Sequence, residues 1–157
     1  MSGVEVGNAG SLGHIFGFSE YAAAEQALCN TLESHPGHLE TYVDLCKLYF
    51  YSKRLPEAEK VARAGLIESA RQGRFEADWH RLIPHEAGWR ESGSPHRVYL
   101  YMLKALAFIR MRREDIEGGQ AILAQLARLD PDDLVGGSVV ADLAMAVRDT
   151  RTDAGVL

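Results

Sequence analysis

The sequence predicts an all-α protein made of antiparallel helix pairs, and three observations carry that prediction. Apolar residues recur at steps of three and four along most of the chain. Turn signals interrupt the pattern at Pro36-Gly37, Ser52-Lys53-Arg54 and Asp130-Pro131. Within the best-defined stretch, residues 38–70, the small residues Cys46, Ala58, Ala62 and Gly65 form a seam between larger ones, as close helix approach requires.

The first 17 residues are rich in Gly, with an apolar cluster at Leu12, Ile15, Phe16 and Phe18 that allows a short first helix. Ser19 is the expected N-cap of the next helix, whose Tyr21, Ala24, Leu28 and Leu32 share a face and which stops before Pro36. The following helix carries Tyr42, Leu45, Tyr49 and Phe50. Pro56 suits the first turn of its partner, with Glu57 and Glu59 at the positive end of the helix dipole and an inner stripe of Ala58, Ala62, Leu66 and Ile67. Residues 74–95 change character and hold both tryptophans; a short helix from Phe75 to Leu82 and a loop anchored through Trp79 and Trp89 are expected. A strong helix follows from His96, with Tyr99, Leu103 and Leu106 inward, then a partner over Glu114–Leu129. A capping helix is expected over 134–149 and a disordered tail over 150–157.

The 157 residues suffice for one domain, expected over 1–150, and the apolar and charged fractions, 46% and 25%, are those of a globular protein. No stretch approaches the roughly 18 consecutive apolar residues of a membrane span, so no membrane partner is expected. The N-terminus lacks a basic segment followed by a sustained apolar one, which points to the cytoplasm. Cys29 and Cys46 form no disulfide framework and fit buried thiols of a reducing compartment.

Charge is uneven. Residues 1–50 hold one Lys/Arg against six Asp/Glu, residues 51–113 hold thirteen against seven, and residues 114–157 hold three against nine. The basic middle block is interspersed with acids on helix faces, which reads as solvated surface rather than a track for nucleic acid. Pairing of these blocks between copies would give a homo-oligomer.

Residues 39–72 resemble the 34-residue tetratricopeptide repeat. Tyr42, Leu45, Tyr49 and Leu55 stand at its large positions and Cys46, Ala58 and Gly65 at its small ones, with Ala62 at a further large one. Tyr21, Ala24, Leu28 and Pro36 match the second half of a preceding unit, about 5–38. Leu103, Leu106, Ala107, Ile116, Gly119, Leu123 and Pro131 match a following unit, about 100–133, from which Arg110 and Leu126 depart. Residues 73–99 are then an insertion. The resemblance implies a short right-handed superhelix of helix pairs, with the inserted segment and the capping helix added to it.

It further implies a function, the binding of another protein in the concave groove that first helices line. The groove residues would be Glu40, Val43, Lys47, Phe50 and Tyr51 from one unit and Tyr101, Lys104, Phe108, Met111 and Arg112 from the next. Aromatics and Met beside Lys and Arg suit a peptide or helix, acidic or amphipathic, held by apolar anchors and charge. Charge reversal at Lys104 and Arg112 is expected to weaken capture at little cost in thermal stability. The chaperone-tail groove of this family does not fit, since Phe108 stands where it needs Asn.

The alternative is a small metal- or ligand-binding regulator using the Trp/His-rich segment 75–96, through Trp79, His80, His85, Trp89 and His96. Its spacing is poor: His80 and His85 flank Pro84, with no helical ligand pair. No cofactor or metal is implied. Neither cysteine sits in a nucleophile motif, and Gly118-Gly119 and Gly136-Gly137 lack a phosphate-loop pattern, so an enzyme is not expected.

Overall fold

The computed structural model describes residues 17–84, 88–140 and 142. In chain order these form α1 (Phe18–Ser34), α2 (Leu39–Tyr51), α3 (Leu55–Gly73), a 3-10 turn (Trp79–Arg81), α4 (Pro95–Arg112) and α5 (Ile116–Leu129). Residues 137–140 and 142 are also helical. No strand occurs among the described residues, and the fold is all-helical. None of the described helices is long and apolar enough to cross a membrane. The expected short first helix, residues 143–149 of the capping helix and the tail lie outside the described residues.

Each helix packs on the next, α3 against α4 most extensively, and α2 also meets α4 directly. The core runs through these seams: Ala58, Ala62, Tyr99, Leu100, Leu103, Leu106 and Ile122 are wholly enclosed. Two glycines set how closely the helices approach. At Gly119 in α5 an added Cβ would lie 2.9 Å from the backbone oxygen of Ala107 in α4. At Gly65 in α3 it would meet the Met102 methyl at 3.0 Å and the Tyr42 Cβ at 3.2 Å.

The turns of the two full pairs are built alike. In the first, Lys53 is left-handed (φ 64°), its N–H donates to Phe50, and the Arg54 N–H donates to Tyr49. In the second, Glu114 is left-handed (φ 70°), its N–H donates to Met111, and the Asp115 N–H donates to Arg110. These residues correspond at the same offset that aligns the two sequence units. Both turns close the preceding helix with a left-handed residue, so the carbonyls of its last turn find donors.

Four local expectations need correction. The N-cap of α1 is Gly17 rather than Ser19, because the Glu20 carboxylate reaches back to accept from the Gly17 N–H at 2.8 Å. Ile67 is 61% exposed and leaves the inner stripe, whereas its neighbour Leu66 is buried. The capping helix starts at residue 137 rather than 134, because the buried Asp130 carboxylate holds the N–H groups of Leu134 and Val135 in a turn.

The fourth correction is larger. No helix spans Phe75–Leu82; only the 3-10 turn forms there. Carbonyls that a helix would have bonded internally are met from elsewhere. The Tyr99 hydroxyl donates to Ala77 at 2.6 Å, and the Gln125 amide donates to Trp79 at 2.7 Å and to Leu82 at 3.0 Å. The segment is pinned by aromatic contact as well: Phe75 stands 5.0 Å from both Trp89 and Tyr99.

Candidate functional site

Helical spacing puts Val43, Lys47, Phe50 and Tyr51 on one face of α2, and Tyr101, Lys104, Ala105 and Phe108 on one face of α4. These faces bound a cavity of about 260 Å³. Phe50 and Phe108 meet across it with ring centroids 5.0 Å apart, and Phe50 also touches Tyr51 edge-on. The start of the helix at 137 supplies a further wall through Val139 and Val140. A second cavity of about 360 Å³ adjoins the first, sharing Val43, Lys47 and Tyr101 and reaching Arg97, Val98, Leu134 and Val135.

Seven of the ten residues the sequence nominates therefore line one groove: Val43, Lys47, Phe50, Tyr51, Tyr101, Lys104 and Phe108. Glu40 is exposed a turn before it, and Arg112 is exposed beyond its other end. Met111 is buried and turned toward α5, where Gly119 leaves room for its side chain. At about 100° per residue it lies roughly 80° round α4 from Tyr101, on the flank of the groove face rather than its centre. Sequence reasoning missed the floor residues Cys46, Met102 and Ile109, because their size and spacing mark them equally as core. It also missed Arg97, which no local pattern singles out.

Electrostatics in the groove centre on Tyr101. The ammonium groups of Lys47 and Lys104 stand 5.4 and 4.7 Å from its ring centroid. Lys104 donates to the Val135 carbonyl at 2.6 Å, and Arg97 donates to the Leu134 carbonyl at 3.2 Å. Burial, and then the nearby Lys47 charge, hold the Lys104 ammonium below its ordinary range, against the pull of Asp133. Lys104 is thus a clasp on the segment that follows α5, which corrects the expectation that reversing its charge leaves stability intact. Lys47 makes no ion pair or hydrogen bond among the described residues.

The cysteines have separate partners. The Cys46 thiol faces the Ala58 carbonyl at 3.6 Å, and burial pushes it up to about 12, so thiolate chemistry is suppressed there. Cys29 is half-buried with its sulfur 3.9 Å from the Tyr49 hydroxyl.

The Trp/His segment does not converge. His80 is exposed, stacks on Trp79 and bonds the Asp78 carboxylate at 2.7 Å. Trp89 is buried, and His96 packs against it and against Phe75 at 4.9 and 4.4 Å between centroids. His85 lies outside the described residues. Among the described residues no three His, Cys, Asp or Glu side chains are grouped to hold a metal.

No family model matches the chain, and no solved structure does. Over 122 residues it is 29% identical to an uncharacterized 19.8 kDa protein in the nifW 5′ region of Azotobacter chroococcum mcd 1, an alignment covering 76% of this chain and 68% of that protein.

Proposed function

We propose that the chain is a cytoplasmic protein-binding module of the tetratricopeptide kind, a short right-handed superhelix that holds a peptide or helix of a partner protein between α2 and α4. It would serve as a scaffold, an assembly factor or a small chaperone rather than as an enzyme. The observation that carries this reading is the groove itself, an apolar cleft whose walls bring Phe50 and Phe108 together and which is open beside Tyr51, 43% exposed. Aromatic side chains such as Phe50, Tyr51, Tyr101 and Phe108 are the type that protein interfaces enrich. The sequential packing of the helices and the matching turns support the repeat reading.

The test compares two charge insertions. Phe108→Glu puts a carboxylate on the groove wall, whereas Ile67→Glu puts one on an exposed position outside it. Tagged chains are used to capture partners from the native cell, with quantitative mass spectrometry as the readout and melting temperature as the control for folding. Proteins captured by wild type and Ile67→Glu but lost by Phe108→Glu are the expected result. Equal capture by all three would remove the groove from consideration.

A further inference from the structure

The two adjoining cavities form one trough, and its charge is one-sided. Lys47, Lys104 and Arg97 line it, and among the described residues no carboxylate does, although the whole chain carries a net charge of −5. Asp44 and Asp133, whose charges act on Lys47 and Lys104, are not part of that lining: Asp44 is exposed on α2, and the Asp133 carboxylate accepts from the Ser138 backbone N–H at 3.1 Å. Two of the three cations are occupied, Lys104 and Arg97 each on a backbone carbonyl. Lys47 remains, sharing the Tyr101 ring with Lys104, so two like charges lie near one aromatic ring with no counter-charge among the described residues that line the trough. Apolar surface lies on either side of that point: Phe50, Phe108 and Val139 in one cavity, Val98, Leu134 and Val135 in the other.

We propose that the trough takes a partner helix presenting an apolar side chain, a carboxylate and a second apolar side chain on one face at successive turns. This rests on the binding reading above and adds the partner's chemistry. One apolar side chain seats on Phe50 and Phe108, and the other against Val98 and Val135. The carboxylate lies between them at Lys47, where it offsets the repulsion between the two ammonium groups. Neighbours at i, i+4 and i+7 share a helix face with a turn of about 5.4 Å between them, which matches a row of three adjacent seats. The recognised group is a side-chain carboxylate within a helix rather than a chain terminus, because the trough continues past Lys47 in both directions.

The experiment uses the full chain and three fluorescein-labelled synthetic helices, amidated at the C-terminus, carrying Leu-Glu-Leu, Leu-Gln-Leu or Leu-Lys-Leu at those spacings. Fluorescence anisotropy is expected to give the Glu peptide the tightest binding, with Gln weaker by roughly fivefold and Lys weaker still, as for a partly exposed ion pair. Lys47→Glu should invert the order of the Glu and Lys peptides, which a purely structural role for Lys47 would not do. Equal binding of all three peptides overturns the acidic specificity while leaving the groove reading intact. Binding of none, or binding that Phe108→Glu leaves unchanged, overturns both. Displacement of the Glu peptide by dodecanoate at lower concentration than by unlabelled peptide overturns the partner-helix class in favour of a small amphiphile.

Discussion

Two charged side chains show how individual residues act across elements here. Arg110 stands where the repeat pattern has a large apolar residue, yet it is half-buried and useful. Its guanidinium lies 3.9 Å from Glu59 of α3 and 3.6 Å from Asp115 at the start of α5, so one side chain in α4 ties three helices. Lys104 closes a different joint, between α4 and the Val135 backbone. Lys104→Met keeps the apolar stem and removes that bond together with the ammonium's contact with Tyr101 and its repulsion with Lys47. We expect it to lower stability by about 1 kcal/mol in thermal or urea unfolding, the usual net worth of one hydrogen bond. A melting temperature equal to wild type would mean that the clasp contributes nothing.

At the scale of helices, the small residues of the seams make unequal demands. Gly119→Ala gains about 1 kcal/mol of helix propensity, but its methyl meets the Ala107 backbone, which cannot step aside. Overpacking typically costs about 1–3 kcal/mol, and contact with a fixed backbone atom puts this site at the upper end, so a net loss approaching about 2 kcal/mol is expected by denaturant titration. Gly65→Ala meets chiefly the flexible end of Met102 and should fall near neutral. A neutral Gly119→Ala would show that α4 and α5 can separate without penalty. The segment between α3 and α4 takes its shape from distant residues. Phe75, Trp79 and Leu82 are spaced well enough for a helix, but Tyr99 and Gln125 satisfy that backbone from distant positions. Those bonds exist only once α4 and α5 are in place.

For the molecule as a whole, the uneven charge distribution is matched within the chain. The basic middle block pairs with acids of both flanks: Arg54 with Glu25, Arg90 with Asp132, and Arg110 with Asp115. The first of these pairs matters most, because α1 buries no residue fully: Tyr21, Ala24, Leu28 and Leu32 are only partly buried against the core, and polar contacts add to their hold. Arg54 and the Tyr49 hydroxyl donate to the Glu25 carboxylate at 2.8 and 2.9 Å, and Tyr21 bonds Ser52 at 2.7 Å. Burial raises the Glu25 carboxyl, but the bonds from Arg54 and Tyr49 outweigh it and hold the group below its ordinary 4.5. A depressed carboxyl stabilises the folded state fully above its unfolded value and loses that effect as pH falls through the folded one. As pH drops below about 4.5, α1 should therefore detach before α3 and α4 unfold, seen by NMR as early loss of its amide dispersion. Glu25→Gln should weaken α1 docking at neutral pH and flatten this acid dependence. Simultaneous loss of all helices in wild type would contradict the local transition.

The sequence by itself determined the helix pairs, their turns and the row of residues along α2 and α4. Those features follow from a 3.6-residue period and from Gly, Pro and small-residue placement, which act over a few neighbours. The tertiary structure alone decided which flank of each helix faces a cleft and which a neighbour. Adjacent positions differ by about 100° round the axis, so Leu66 is buried while Ile67 is not, and positions three apart differ by about 60°, enough for Met111 to turn to α5 while Phe108 stays in the groove. It decided too that Lys104 is a clasp while Lys47 keeps no hydrogen bond or ion pair among the described residues, because the carbonyl that captures Lys104 comes from 31 residues further along the chain.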